Sequence, residues 1–138
     1  MREIRFRAWS KSYKKMVYFD LRGRNIVCGD IYDGLALCDE SFDRGFEYLN
    51  SDDEFVVMQY TGLQDKNGKK IFEGDILLGK YSYGLKQREI VEWLKSFTGF
   101  SPFNRYDSDF GDYYEIGRCE VIGNIYENPE LLPGKDKK

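Results

Sequence analysis

The segment Asp65-Lys66-Asn67-Gly68 is the strongest local constraint on what this chain can fold into. It follows the extended apolar run Phe55-Val56-Val57-Met58-Gln59-Tyr60 and precedes Lys69-Lys70-Ile71-Phe72, so two strand-like stretches flank it. Asn67 and Gly68 both accept positive φ at little steric cost, and a tight hairpin turn is predicted there. Glu73-Gly74-Asp75 turns the chain again and launches Ile76-Leu77-Leu78. The Asp75 carboxylate is expected to bond nearby backbone amides. Turns recur roughly every ten residues, and ten Phe, eleven Tyr, two Trp and fourteen Gly favour short strands over long helices. A mainly β fold follows, as a small, strongly bent sheet or barrel. The absence of β-α-β alternation argues against a doubly wound nucleotide fold.

The same periodicity places the other elements. Ile4, Phe6 and Ala8 point one way while Arg5, Arg7 and Trp9 point the other, which is strict strand alternation. Met16 to Leu21 resumes an extended apolar pattern, and the two runs predict an antiparallel hairpin. A short strand is expected at Asn25 to Cys28. From Glu40 to Leu49, Phe42, Phe46 and Leu49 fall at i, i+4 and i+7, which predicts a short helix with Gly45 inside it. Arg88 to Leu94 and Glu120 to Tyr126 read as strands, and the aromatic, glycine-rich stretch Phe97 to Tyr114 as a long loop or irregular hairpin. Asn128 and Pro129 suit the cap and first position of a terminal helical turn.

The chemical vocabulary is narrow. Among 138 residues there is no histidine, which removes imidazole acid/base catalysis, His metal ligation and Ser-His or Cys-His nucleophiles. Cys28, Cys38 and Cys119 form no C-x-x-C pair and are expected to be reduced structural thiols. Gly62 to Gly68 followed by Lys69-Lys70 misses the phosphate-loop spacing and lacks its magnesium-binding hydroxyl. No stretch reaches transmembrane length, and Met1-Arg2-Glu3-Ile4 lacks a secretory apolar region, so a cytoplasmic protein without a membrane partner is expected.

Lys and Arg number 21 against 24 Asp and Glu, a net charge of −3, yet cations crowd the first hairpin. Arg5, Arg7 and Trp9 on one face, with Lys14 from the turn, form a candidate nucleic-acid surface that holds phosphates and stacks a base. The alternative is that these cations guard an edge strand and pair with acids. Asp107, Asp109 and Asp112, close to Glu115, are the candidate metal ligands, since hard cations take several carboxylate oxygens on a loop. Arg118 stands where a calcium loop needs its last acid, and a solvated acidic loop is the alternative. Glu73 with Asp75, or Glu89 with Glu92, could supply an acid/base pair, but nothing in the sequence sets either across a cleft. Tyr81, Tyr83, Phe97, Phe100, Phe103 and Tyr106 read equally as a ligand surface, a subunit interface or core. No cofactor is expected.

Three ordered blocks carry a resemblance. They are Arg2-Glu3-Ile4-Arg5-Phe6-Arg7-Ala8-Trp9 with Lys15-Met16-Val17-Tyr18; then Met58 to Leu63, Asp65 to Gly68 and Ile71-Phe72-Glu73-Gly74-Asp75-Ile76; then Val121-Ile122-Gly123-Asn124-Ile125-Tyr126-Glu127-Asn128-Pro129-Glu130-Leu131-Leu132. Together they resemble the YopX family of phage and prophage proteins. The resemblance implies a mainly β protein with an SH3-like barrel in its C-terminal part, oligomeric, acting in the bacterial host cytoplasm. It carries over no catalytic residue. Ser10 departs from the family, where an Asp commonly follows the Trp, and Ser82 to Glu115 matches no block. The expected organisation is one domain: an N-terminal hairpin at 1–24, an irregular or helical connection at 25–54, an SH3-like barrel at 55–128, and a short turn and tail at 129–138. The leading functional expectation is a non-enzymatic binding or adaptor module, a homo-oligomer whose partner is a host or phage macromolecule. The alternatives are nucleic-acid binding through the first hairpin and a carboxylate-dependent metal protein or enzyme.

Overall fold

The computed structural model describes residues 3–20, 22–23, 25–28, 35–49, 54–80, 86–103, 106–107, 112–113 and 116–132. The strands are β1 (Arg5–Ser10), β2 (Lys15–Asp20), β3 (Ile26–Cys28), β4 (Leu35–Cys38), β5 (Phe46–Tyr48), β6 (Phe55–Gln64), β7 (Lys70–Phe72) and β8 (Asp75–Lys80). They continue with β9 (Lys86–Ile90), β10 (Glu92–Leu94), β11 (Gly99–Ser101), β12 (Tyr106–Asp107), β13 (Asp112–Tyr113) and β14 (Glu120–Asn124). Short 3-10 turns lie at Ile116–Arg118 and Pro129–Leu131. The sheet orders are β2-β1-β6-β7, β3-β4-β5 and β14-β8-β9, with two-stranded ribbons β10-β11 and β12-β13. The protein is mainly β, as its turn spacing predicts. The sheets are open, and closure into an SH3-like barrel is not seen among the described residues. The chain forms two compact units, Met1–Tyr60 and Thr61–Lys138.

In the first unit β1 is flanked on both sides, pairing antiparallel with β2 and with β6. Ala8 lies opposite Val17 and Phe6 opposite Phe19, so the apolar phase of β1 meets that of β2. Ala8, Val17, Phe19, Leu37, Phe42 and Phe55 form one buried core, with Phe6, Tyr13, Ile26 and Leu49 packed against it. Each large apolar side chain in it contributes about 1.5–3 kcal/mol.

The helix predicted over Glu40 to Leu49 does not form. Its first half is a pair of tight turns, in which Phe42 N–H donates to Asp39 O and Gly45 N–H to Phe42 O. Gly45 then takes φ +78°, which ends any helix, and Phe46–Tyr48 pairs with β4. The aromatic spacing reflects burial of Phe42 and half-burial of Phe46 and Leu49 on a turn and a strand. Tertiary pairing has overridden the 3.6-residue period.

An ionic clamp holds that turn. Lys15 Nζ donates to Asp39 Oδ1 at 2.7 Å, and the same oxygen accepts Ser41 N–H at 2.9 Å. The Lys15 hydrogen bond, followed by that of the Ser41 hydroxyl, holds the Asp39 carboxyl down at about 2. Because the folded value lies below the unfolded one of about 3.9, the clamp's contribution is full above pH about 4 and is lost as pH falls toward 2. A Lys15→Met variant should therefore show a shallower fall of melting temperature across that window than the parent protein. Superimposable acid profiles would show that the clamp contributes nothing.

In the second unit Ile71, Leu77, Val91, Cys119 and Val121 form a second core, with Phe100 and Phe103 packed against it. The turn after β6 is built on Asp65. Gly68 N–H donates to Asp65 O at 3.0 Å, and Asp65 Oδ1 accepts the N–H groups of Asn67 and Lys69 at 2.8 and 2.9 Å. Gly68 takes φ +83° and Asn67 does not adopt positive φ, so one residue rather than two enters the left-handed region. The carboxylate, by gripping both amides, selects a type I-like turn closed by glycine. Burial pushes the Cys119 thiol up to about 11, aided by the Asp65 charge, and keeps it protonated. Cys38 is also a free thiol.

Asp75 accepts Phe72 N–H at 2.9 Å, the turn-forming role its position predicts. The strand expected from Arg88 to Leu94 is broken at Val91, whose N–H donates to Asp75 O and whose carbonyl accepts Gly74 N–H. The chain leaves the β14-β8-β9 sheet there and continues as the β10-β11 ribbon. At the C-terminal end Asn124 Oδ1 accepts the N–H groups of Tyr126 and Glu127. Asn128 makes no side-chain cap to the Pro129 turn; its Oδ1 accepts Asn124 N–H at 3.2 Å instead.

Candidate interaction surfaces

The first hairpin does not present its cations as one open face. Arg7 is only 3% exposed, lying in register between Tyr18 of β2 and Met58 of β6. Since β1 is an interior strand, the edge-guarding role considered for its cations does not apply either. Arg5 is half-buried and its Nε donates to Glu3 Oε1 at 2.6 Å. Trp9 is half-buried opposite Met16 and Val56. Lys14 is exposed on the turn at φ 51°. The four residues are thus distributed among core, ion pair and turn.

Glu54 organises the tip of that hairpin. Its carboxylate accepts the hydroxyls of Ser10 and Ser12 and the N–H of Ser12 at 3.1 Å. Partial burial pushes its pKa up, but those hydroxyl and amide donors, with Lys11 nearby, bring it below the ordinary value. The departure at Ser10 has a local reason in this chain. An Asp at this fully buried position would face the Glu54 carboxylate, whereas a hydroxyl donates to it.

Of the acidic candidates, Asp107 on β12 and Asp112 on β13 are opposite in register. Asp109 and the side chains of Asp107 and Asp112 lie outside the described residues, as does Glu115. Among the described residues no three His, Cys, Asp or Glu side chains cluster as metal ligands. Asp75 is buried in its turn, and Glu89 and Glu92 fall on either side of the Val91 break.

The β10-β11 ribbon has a different character. Trp93 pairs with Phe100 across it, ring centroids 5.1 Å apart at 71°, an edge-to-face contact. Phe100 packs on the second core, while Trp93 remains 49% exposed and Phe97, at the tip, 66%. They are the most exposed of the large apolar side chains among the described residues. Glu92 is exposed at the start of β10, and Lys95 is exposed in the turn that follows it. Phe97 N–H donates to Leu94 O and Thr98 N–H to Lys95 O, and Thr98 takes φ 47°. A β-branched residue in that region costs roughly 1–2 kcal/mol. The sequence offered Phe97, Phe100 and Phe103 without ranking them, because an aromatic in an irregular stretch looks the same whether it fills a core or meets water. Tyr81 and Tyr83 lie outside the described residues, and of Tyr106 only the backbone is described.

The YopX protein family model matches residues 5–133, from β1 to just beyond the Pro129 turn. The structure is similar to that of protein EF1440 from Enterococcus faecalis, with 28% identity over 96% of this chain and 99% of that one, at a TM-score of 0.56. It is also similar to protein yopX from Bacillus subtilis, with 18% identity over the same shares and a TM-score of 0.52, a likeness of fold alone. No curated protein matches the chain. Among the described residues no helix is long and apolar enough to cross a membrane. With nearly all of its length matched, the chain belongs to the YopX protein family.

Proposed function

We propose that the chain is a non-enzymatic phage or prophage accessory protein, an oligomeric binding or adaptor module that engages a host or phage macromolecule in the bacterial cytoplasm. The observation that carries this reading is the β10-β11 ribbon, where Trp93 and Phe97 are exposed beside a strained tip. Exposed aromatics grouped on one element mark contact surfaces, since rigid rings supply large area at low entropic cost. The displaced carboxyls support it as well. Asp39, Glu54 and Asp65 are each committed to backbone amides, hydroxyls or a lysine that hold a turn, which accounts for their pKa values without a reaction.

The test is affinity capture from host lysate with the tagged full chain, beside a Trp93→Ser/Phe97→Ser variant. A defined macromolecule recovered by the parent and reduced at least about tenfold by the variant is the expected result. Turnover of a substrate by the purified protein alone would overturn the reading. Salt-sensitive oligonucleotide retention lost in Lys14→Ala, with the aromatic variant unaffected, would move the binding site to the first hairpin.

A further inference from the structure

We infer that Asn67 is a site of spontaneous deamidation on which Asp65 acts as the brake; this goes beyond the binding reading above and does not depend on it. Asn67 is the sole asparagine of the sequence followed by glycine. With no side chain on Gly68, nothing screens its main-chain nitrogen from the side-chain carbonyl of Asn67. Both residues are exposed, so water and base reach them. The reaction needs no co-reactant but water. The Gly68 nitrogen loses its proton to base and bonds to Cγ of Asn67, the Cγ–Nδ2 bond breaks, and the nitrogen leaves as ammonia after taking a proton from solvent. Water then cleaves one of the two C–N bonds of the cyclic imide. Cleavage at Cγ leaves an aspartate, and cleavage at the main-chain carbonyl leaves an isoaspartate, with the chain rerouted through the former side chain.

The folded turn withholds the nucleophile. Gly68 N–H donates to Asp65 O at 3.0 Å, and the amides on either side, Asn67 N–H and Lys69 N–H, donate to Asp65 Oδ1 at 2.8 and 2.9 Å. Three successive amides are thus tied to one residue, so the Gly68 nitrogen neither sheds its proton nor swings toward Cγ until that grip opens. Asp65 is itself fixed by β14, whose Val121 N–H donates to Oδ2 at 2.9 Å. The rate is then the rate of the open chain multiplied by the fraction of time the turn is open. The isoaspartyl product gains one methylene in the main chain between the two amides that Oδ1 holds. One oxygen no longer fits both, and the product loosens the grip that had slowed its formation.

The experiment incubates the full chain in mildly alkaline buffer and follows loss of the Asn67 amide by peptide mapping and mass spectrometry, with the protein folded and in denaturing urea. The folded parent should react at least about tenfold more slowly than the same chain in urea. Folded Asp65→Ala should lose most of that protection, whereas in urea the two should react alike. Since Asp65→Ala also lowers stability as a whole, Val91→Ala, in the second core and outside the turn, is the control. At urea concentrations that give the two variants equal unfolding free energy, Asp65→Ala should still react at least about tenfold faster. Asp65→Asn, which keeps one acceptor, should fall between parent and alanine variant, and it carries the comparison should the alanine variant not fold. A folded parent that reacts as fast as the unfolded chain, or equal rates in the Asp65 and Val91 variants at matched stability, overturns the brake. An isoaspartyl fraction with the urea midpoint of the parent overturns the loosening by the product.

Discussion

Asp65→Ala is expected to lower the unfolding free energy by about 3–5 kcal/mol, read as a shifted urea midpoint with an unchanged slope. The carboxylate is 7% exposed and accepts three backbone N–H groups: Asn67 and Lys69 on Oδ1, and Val121 on Oδ2 at 2.9 Å. Bonds to an ionised acceptor are worth about 1.5–3 kcal/mol each, but water can replace the carboxylate at the exposed turn residues. It cannot easily do so at Val121, which belongs to the second core. The loss therefore falls below the simple sum and well above that of a surface acid. Asp65→Asn should cost less, about 2–3 kcal/mol, because the amide keeps one acceptor and turns its NH2 toward an N–H.

Burial raises the Asp65 pKa, and the three backbone donors with Lys69 outweigh it, so the folded value lies below the unfolded one. Its contribution is accordingly present above the unfolded carboxylate value and disappears as pH falls through the folded value. The difference between parent and Asp65→Asn should shrink on acidification. A loss under about 1 kcal/mol for the alanine variant at neutral pH would mean that the three bonds exchange freely with water.

The second large effect is expected at Gly123. A Cβ there would stand 2.5 Å from Asn128 Oδ1, 2.7 Å from its Cγ and 2.9 Å from its Cβ. Swinging the tip of Asn128 cannot relieve contacts with all three atoms, so the whole side chain must move and release Asn124 N–H. Gly123→Ala should cost about 2–3 kcal/mol, from overpacking and one lost part-buried hydrogen bond. In an Asn128→Gly background the same change should cost less than about 1 kcal/mol, since the obstructing atoms are gone; Asn128→Ala would not suffice, because Cβ remains. Additive costs in this cycle would place the origin of any destabilisation in the backbone of β14 rather than in the side-chain contact. The register irregularity between Val121 and Gly123 makes that distinction worth measuring.

The strands and turns were legible where local chemistry and tertiary contacts agree. Alternation in β1, the Asp65–Gly68 turn and the Asp75 turn each state their geometry in a few residues, and the family blocks coincide with them. What escaped was decided at long range. Arg7 alternates like a solvent-facing residue, but its pattern cannot reveal that strands will cover β1 on both sides. Phe42, Phe46 and Leu49 share a helical spacing, yet the partner strand β4 and the clamp on Asp39 set their conformation. Asn128 has cap chemistry, and its oxygen was claimed by an amide four residues earlier. Of the candidate surfaces, composition favoured the cationic hairpin, while the exposed ribbon became visible only once Phe100 and Phe103 were assigned to the core.

The bond from Val121 N–H to Asp65 spans 56 positions of sequence, and it orders events during synthesis. The Asp65–Lys69 turn can close as soon as it leaves the ribosome, satisfying two of its three amides. At about 5–20 residues per second, the last donor emerges roughly 3–11 s later. Over that interval Ile71, Leu77 and Val91 lack β14, the strand that brings Val121 to their core, and so remain a wetted apolar surface on the nascent chain. That transient exposure is written into the order of translation, and it ends when β14 docks.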